Sequence, residues 1–397
     1  MRGRTAILLV GPGLILAGLL LWWWSRPPPP PVVSYRAVDF SELTGWERDD
    51  LARALPPLLR SCRRLARWPA GRPLGGDGVA GTAGDWQAVC QAAGQLPNGD
   101  AGAARGFFEG RFRPVAVRFA GRAEGLFTGY YEPSLRGSRT RGGAYQVPLH
   151  GLPQDLIRVN LGEFSDGLKG RRIVGRLDGG RLRPYPARAG IVDGGLGGKA
   201  PVVVYVDDPV DAFFLQIQGS GRVTLAEGGE IRLGYAGRNG RPYFAIGREL
   251  IKRRVLTAET VSMQSIRRWL ADNPEQAATV MNLNRSYVFF RELTGEGPLG
   301  ALGVALTPGR SLAVDRRLIP MAVPIWLQAT RPAATAGRPD RPLRRLLLAQ
   351  DTGGAIRGGV RGDVFWGHGA EAAAIAGRMK HPGRWFLLLP KPLVDRL

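Results

Sequence analysis

Residues 346–359 read LLLAQDTGGAIRGG, and the fold and the chemistry of this chain are both read outward from that stretch. An apolar run, Leu346 to Ala349, predicts a strand. It delivers Asp351 at its end, and a Thr-Gly-Gly turn follows at once. Glycines at 353 and 354 let a ligand approach the backbone closely. A carboxylate at the mouth of an apolar strand is partly desolvated, which raises its pKa toward that of a general acid.

Two further aspartates end predicted strands nearby: Asp315 in SLAVDRRLIP (311–320) and Asp363 in RGDVFWGHG (361–369). A lone strand-end aspartate reads first as a turn cap. Three in one short β region, two of them flanking a double glycine, favour a site. Phe365 and Trp366, beside Asp363, offer flat faces of the kind on which sugar rings pack. Around them GALGVALT (300–307), VPIWLQ (323–328) and RWFLLLP (384–390) read as strands, and EAAAIAGRM (371–379) as a helix.

Upstream, PVAVRF (114–119), YQVPLH (145–150), PVVVYVDD (201–208), AFFLQIQG (212–219) and GRVTLA (221–226) read as strands. Residues 246–281 read as helical, one helix ending at Asn273 before Pro274, and 40–104 as helical around a glycine-rich loop. The chain is mainly β, with peripheral helices and two β units joined discontinuously.

Composition sets the outer limits. The chain has 397 residues, 44% apolar and 22% charged, which suits a folded two-domain protein rather than a disordered chain or a multi-span membrane protein. Its 57 glycines and 31 prolines favour turns and short strands over a helical bundle. A net charge of +22 suits polyanions, although the excess is nearly all arginine, as codon bias alone produces. No basic run interleaved with aromatics marks a nucleic-acid groove. The histidines (His150, His368, His381) and cysteines lack metal-ligand spacing, so no metal site is expected. Gly76, Gly78 and Gly81 have dinucleotide-fingerprint spacing without a preceding strand, and Ser220 is half of a nucleophile elbow; neither pattern completes.

At the N-terminus Arg2 and Arg4 precede an uncharged stretch, 5–24, closed by Trp22, Trp23 and Trp24. Twenty helical residues span about 30 Å, enough for a bilayer core. Residues 1–26 are therefore expected to act as an uncleaved inner-membrane anchor, followed by a proline-rich linker, 27–34, with the body periplasmic. The first cysteine is Cys62, too late for a lipoprotein. Export would place Cys62 and Cys90 in an oxidising compartment, where they are expected to pair, two buried thiols being the alternative.

The motifs FTGYYEP (127–133), DAFFLQIQGSGR (211–222), GYAGRNGRPY (234–243), SMQSIRRW (262–269), NRSYVFFRE (284–292) and AQDTGGAIRG (349–358) together resemble the membrane-bound lytic murein transglycosylase A family. The resemblance implies a double-psi β-barrel built from 35–133 and 284–397, with a second β domain, 134–283, inserted and a glycan groove between them. It assigns the catalytic acid/base to Asp351 and supporting roles to Asp315 and Asp363. It offers Tyr130, Gln218, Ser220, Tyr235 and Asn239, beside Trp366, as groove contacts. The implied reaction is non-hydrolytic cleavage of peptidoglycan strands to 1,6-anhydro ends, without cofactor or nucleic acid. A non-catalytic, expansin-like wall-binding protein and a true hydrolase are the alternatives; protein partners are not indicated.

Overall fold

The computed structural model of the chain describes residues 32–295, 297–335 and 337–396. The expected anchor and the linker up to residue 31 lie outside the described residues. Among the described residues, no helix is long and apolar enough to cross a membrane.

The chain starts with β1 (Val33–Ala37), then three helices, α1 (Leu55–Leu65), α2 (Gln87–Gly94) and α3 (Ala101–Arg111), before β2 (Phe112–Phe119) and β3 (Gly125–Glu132). A middle section follows: β4 (Ser134–Ser138), β5 (Val147–His150), β6 (Ile157–Asn160), β7 (Arg172–Asp178), β8 (Arg181–Pro184) and β9 (Val202–Val206). It continues through α4 (Pro209–Gln218), β10 (Ser220–Leu225), β11 (Glu230–Arg238), α5 (Met263–Asp272), α6 (Pro274–Asn282) and β12 (Val288–Glu292). The last section holds β13 (Ser311–Val314), β14 (Pro324–Arg331), β15 (Arg341–Asp351), β16 (Arg361–His368), α7 (Gly369–Arg378) and β17 (Lys380–Pro390).

Only the first and last sections build the main sheet, in the order β1-β2-β17-β14-β15-β13-β16-β3. It closes because β17 is long enough for two jobs. Its first residues, Lys380–Gly383, pair with β3, and its last, Phe386–Pro390, pair with β2. The ring β17-β14-β15-β13-β16-β3 is a closed six-stranded barrel, and closure removes exposed sheet edges. Two of its contacts are parallel, β13 with β15 and β3 with β16. The β3–β16 contact joins segments from opposite ends of the chain.

The run Leu346–Ala349 is apolar throughout because both faces of β15 are covered, one by the barrel interior and one by the N-terminal helices. Trp46 stacks edge-on against Trp326 of β14 at 5.1 Å, and Gln350 donates to the Pro57 carbonyl and the Ser61 hydroxyl of α1. A disulfide joins Cys62 of α1 to Cys90 of α2, 28 residues apart. A loop of that length contributes about 3–4 kcal/mol in the chain-entropy account. Cys62→Ser/Cys90→Ser should lower unfolding stability by about that amount, as read by urea denaturation.

The middle section forms a second sheet, β12-β11-β10-β4-β9-β5, and a small third, β6-β7-β8. Three sequence expectations are corrected here. β12 pairs antiparallel with β11, so the second sheet runs past the expected boundary at 283 to Glu292. β1 begins at Val33, inside the expected linker, because it pairs with β2. AFFLQIQG is helix α4, not a strand: Asp208 caps it by accepting from the Val210 amide at 2.7 Å, Pro209 opens it, and Gly219 ends it at φ 83°. Those end signals outweigh the β-propensity of the aromatic residues inside.

Candidate active site

Asp351 ends β15, and its carboxylate is held by three donors. The Tyr130 hydroxyl, from β3, donates to Oδ2 at 2.8 Å, and the amides of Ala301 and Thr352 donate to Oδ1 at 2.9 Å. Ala301 lies in GALGVALT, which is a looped turn rather than the expected strand. Gly300 lets the turn lie against β15, since a Cβ there would come within 2.5 Å of the Gln350 carbonyl. A side chain at 300 would push the Ala301 amide off the carboxylate.

Asp363 reaches the same place through strand register. Ala313 of β13 pairs with Asp351 on one side and with Asp363 on the other. The two aspartates therefore stand two strand spacings apart, about 10 Å between backbones. On β3 the residues opposite β16 are Thr128, facing Asp363, and Tyr130, facing Phe365. The Thr128 hydroxyl donates to Asp363 Oδ1 at 2.7 Å. Thr128 and Tyr130, two apart, thus serve one carboxyl each from the same face of β3.

Burial raises the pKa of Asp351, outweighing the donors from Tyr130, Ala301 and Thr352. Burial also raises Asp363, against the Arg361 guanidinium and the Thr128 hydroxyl, and a charge on Asp351 raises it further. Both carboxyls are thus held above the ordinary carboxylate range, chiefly by burial. Tyr130 is raised by burial and by both carboxylates, so its hydroxyl stays protonated and donates.

Asp315 behaves differently. It is 0% exposed, and although burial works against its charge, hydrogen bonds from Arg317 and Gly358 keep its pKa below the usual value. Its carboxylate accepts from Arg317 Nη2 at 2.8 Å and from the Gly358 amide at 3.1 Å. An ionised Asp315 therefore anchors the far end of the loop that leaves Asp351.

The remaining sequence candidates divide. Asn239 is 0% exposed; its amide nitrogen donates to the carbonyls of Pro186 and Arg285, and its oxygen accepts from the amides of Arg241 and Tyr287. It braces the interior of the middle section and faces no groove. Gln218 uses its oxygen to accept from the Tyr131 amide at 3.2 Å, tying α4 to β3. Trp366 packs on Gly129, where a Cβ would meet the indole at 2.7 Å, and clusters with Ala372, Ala373 and Ala376 around α7. Trp366 is half-buried there, with the Arg331 guanidinium 5.4 Å from its ring centroid. Tyr130, 8% exposed, serves Asp351 instead of standing open. Ser220 is half-buried at the start of β10, opposite Gly234. Tyr235 is 50% exposed.

Residues of the second section face Asp351's glycine turn. A Cβ on Gly354 would lie 3.9 Å from both Arg238 Nη1 and Tyr243 Cβ. Thr128, Tyr243 and the Ala301 amide escaped the sequence reading. Thr128 and Tyr243 sit inside motifs already singled out, FTGYYEP and GYAGRNGRPY, whereas nothing local marks a backbone amide. Among the described residues, no group of three or more His, Cys, Asp or Glu is placed to hold a metal ion.

A closed barrel bearing paired, raised carboxyls, interrupted by a β section that faces them, defines a three-aspartate barrel protein with an insert. The comparisons agree. Residues 126–291 match the family model described as MltA specific insert domain, and residues 310–389 match the 3D domain. The crystal structure of the membrane-bound lytic murein transglycosylase from Agrobacterium tumefaciens is similar at 33% identity and TM-score 0.81, covering 91% of this chain and 99% of that one. Escherichia coli MltA, solved with bound chitohexaose, is similar at 25% identity and TM-score 0.66, covering 90% and 94%. The membrane-bound lytic murein transglycosylase A of Vibrio cholerae is 31% identical over 263 residues, 65% of this chain and 64% of that protein, so the match spans just under two thirds of it. The chain belongs to the membrane-bound lytic murein transglycosylase A family.

Proposed function

We propose that this protein is a peptidoglycan lytic transglycosylase, cleaving the β-1,4 bond between N-acetylmuramic acid and N-acetylglucosamine with Asp351 as sole acid and base. The observation that carries the reading is Asp351 itself: desolvated enough to hold a proton, yet furnished with three donors for the moment it loses one. Glycan binding is supported by the chitohexaose held by the Escherichia coli relative.

Protonated Asp351 gives its proton to the glycosidic oxygen as the C1–O4 bond breaks and positive charge develops at the muramic anomeric carbon. Tyr130 Oη–H and the Ala301 and Thr352 amides stabilise the carboxylate so formed. That carboxylate then takes the proton of the same sugar's 6-hydroxyl, whose oxygen bonds to C1 and closes the 1,6-anhydro ring. Asp351 ends as it began, protonated, and no water is consumed. Asp363 stands beside the site under the Thr128 hydroxyl, and Asp315 holds the loop. Ser220 and Tyr235 serve as groove contacts. The protein works in the cell envelope, tethered by residues 1–26, in keeping with relatives named membrane-bound.

Digestion of purified sacculi followed by mass analysis tests this directly. Anhydro-muropeptides are expected; reducing ends would mean a hydrolase, and intact glycan with retained binding would mean a wall-binding protein.

Two variants test the supporting groups. Tyr130→Phe removes a hydrogen bond to a charged group worth about 1.5–3 kcal/mol, so kcat should fall about 10–100-fold with a smaller change in KM. Because that donor lowers the Asp351 pKa, the alkaline limb of the pH–rate profile should move to higher pH. Asp363→Asn leaves in place every group that shifts Asp351, so the same limb should stay where it is, with partial turnover surviving.

A further inference from the structure

The mouth of the groove carries arginines without counter-ions. Arg238 and Arg248 come from the insert and Arg316 from the turn after β13; all three are exposed. Among the described residues, none of them has a hydrogen-bonded or ion-paired acidic partner, whereas the neighbouring Arg317 is taken by Asp315. Arg238 Nη1 lies 3.9 Å from the Cβ position of Gly354, three residues beyond Asp351. The three are also close enough to be felt at two groove tyrosines. Burial raises Tyr235, and Arg238, Arg158 and Arg316 act against that rise. Burial raises Tyr243 too, where Arg248 opposes it and Asp363 adds to it. The three positive charges thus lie beside Tyr235 and Tyr243, and none of them is among the groups that act on Asp351 or Asp363.

Beyond Tyr235 a cavity of about 550 Å³ opens between β12 and β9, lined by Leu152, Val203, Ala236, Phe290 and Arg291. Tyr235 belongs to both the arginine rim and this cavity. A bulky acidic substituent on a sugar at the Asp351 turn has charge to meet first and room to extend into next.

We propose that Arg238, Arg248 and Arg316 form a carboxylate-binding subsite that takes the acidic 3-O-substituent of the muramic acid unit beside Asp351, with the cavity at Tyr235 receiving the rest of that substituent. The proposal rests on the glycan lying in this groove. Neutral N-acetylglucosamine oligomers fill the sugar positions but leave the arginines unpaired. Muramic acid supplies a carboxylate in two ways: on its lactyl group where the peptide has been removed, and on the peptide stem where it is present. Guanidinium forks meet either with paired N–H donors.

The test measures dissociation constants for the Asp351→Asn protein, which holds substrate without cutting it. The probes are chitohexaose, peptide-free glycan strands with free lactyl carboxylates, and peptide-bearing strands of the same length, at 20 mM and 500 mM salt. At low salt at least one acidic probe should bind about tenfold tighter than chitohexaose, and the advantage should shrink at high salt. Whichever acidic probe gains identifies the carboxylate source. Adding Arg238→Gln, Arg248→Gln and Arg316→Gln should bring the acidic-to-neutral affinity ratio close to one, with folding verified by the thermal midpoint. An unchanged ratio in that variant, or no advantage at low salt in the parent, overturns the subsite while leaving the groove in place. Failure of all three glycans to bind overturns the groove reading as well.

Discussion

Asp351→Asn should reduce release of anhydro-muropeptides by about a thousandfold or more, because general acid–base transfer by one positioned group supplies about 10²–10⁴ and here one group supplies it twice. Asparagine keeps the shape of the side chain. Its oxygen accepts from the Ala301 and Thr352 amides, while its NH₂ turns toward Tyr130, whose hydroxyl then accepts. Glycan affinity should therefore survive, and the loss should fall on kcat rather than KM. The same change should affect stability with the opposite sign. A carboxyl whose folded-state pKa is raised favours the folded state fully below its unfolded pKa and loses that contribution as pH rises through the folded pKa. At neutral pH Asp351 thus costs stability when ionised, and the asparagine variant should be the more stable protein there. The difference should vanish in acid, below the ordinary carboxylate range. Urea midpoints at several pH values beside product analysis check both halves. Comparable turnover in the variant would remove Asp351 from the mechanism.

The largest stability loss is expected at a buried ion pair beside the strand that carries Asp351. Asp49 and Arg310 bury their side chains to 6% and 4% exposure, and Arg310 Nη1 and Nη2 donate to the two carboxylate oxygens at 2.7 and 2.8 Å. Asp49 also accepts from the Leu346 amide, and Arg310 donates to the carbonyls of Leu346 and Asp50. This network joins the helical N-terminal segment to β15 just before the strand reaches Asp351. Asp49→Ala leaves a buried guanidinium without its partner, which costs about 3–5 kcal/mol. Replacing both partners, Asp49→Leu with Arg310→Met, should recover most of that loss, since the charge is then gone. Chemical denaturation separates these outcomes, and a loss below about 1 kcal/mol for Asp49→Ala would mean that water reaches the pair.

What was legible in the sequence follows from the range of the forces involved. The stretch Leu346–Ala349 of β15 announces itself because both its faces are covered, which requires unbroken apolar residues whatever covers them. Asp351 at its end, with glycines after it, is likewise a local pattern. AFFLQIQG has the internal propensity of a strand, whereas Asp208, Pro209 and Gly219 make it a helix from the ends. GALGVALT has the apolar content of a strand, yet Gly300 and Gly303 fold it into a turn whose value lies in one backbone amide. Asn239 illustrates the reverse limit: a polar residue inside a strong motif looks like a ligand contact until four backbone partners occupy it.

By itself, then, the sequence determined the kind of strand, the acid at its tip, the order of the motifs and hence the family. It could not determine that the hydroxyl serving Asp351 comes from Tyr130, 221 positions away, nor that Asp363 shares its surroundings while Asp315 stays ionised under Arg317. Those outcomes depend on register across β13 and on how much water each carboxyl loses. Both are properties of the closed barrel, which exists only once the two ends of the chain have met at β3 and β16.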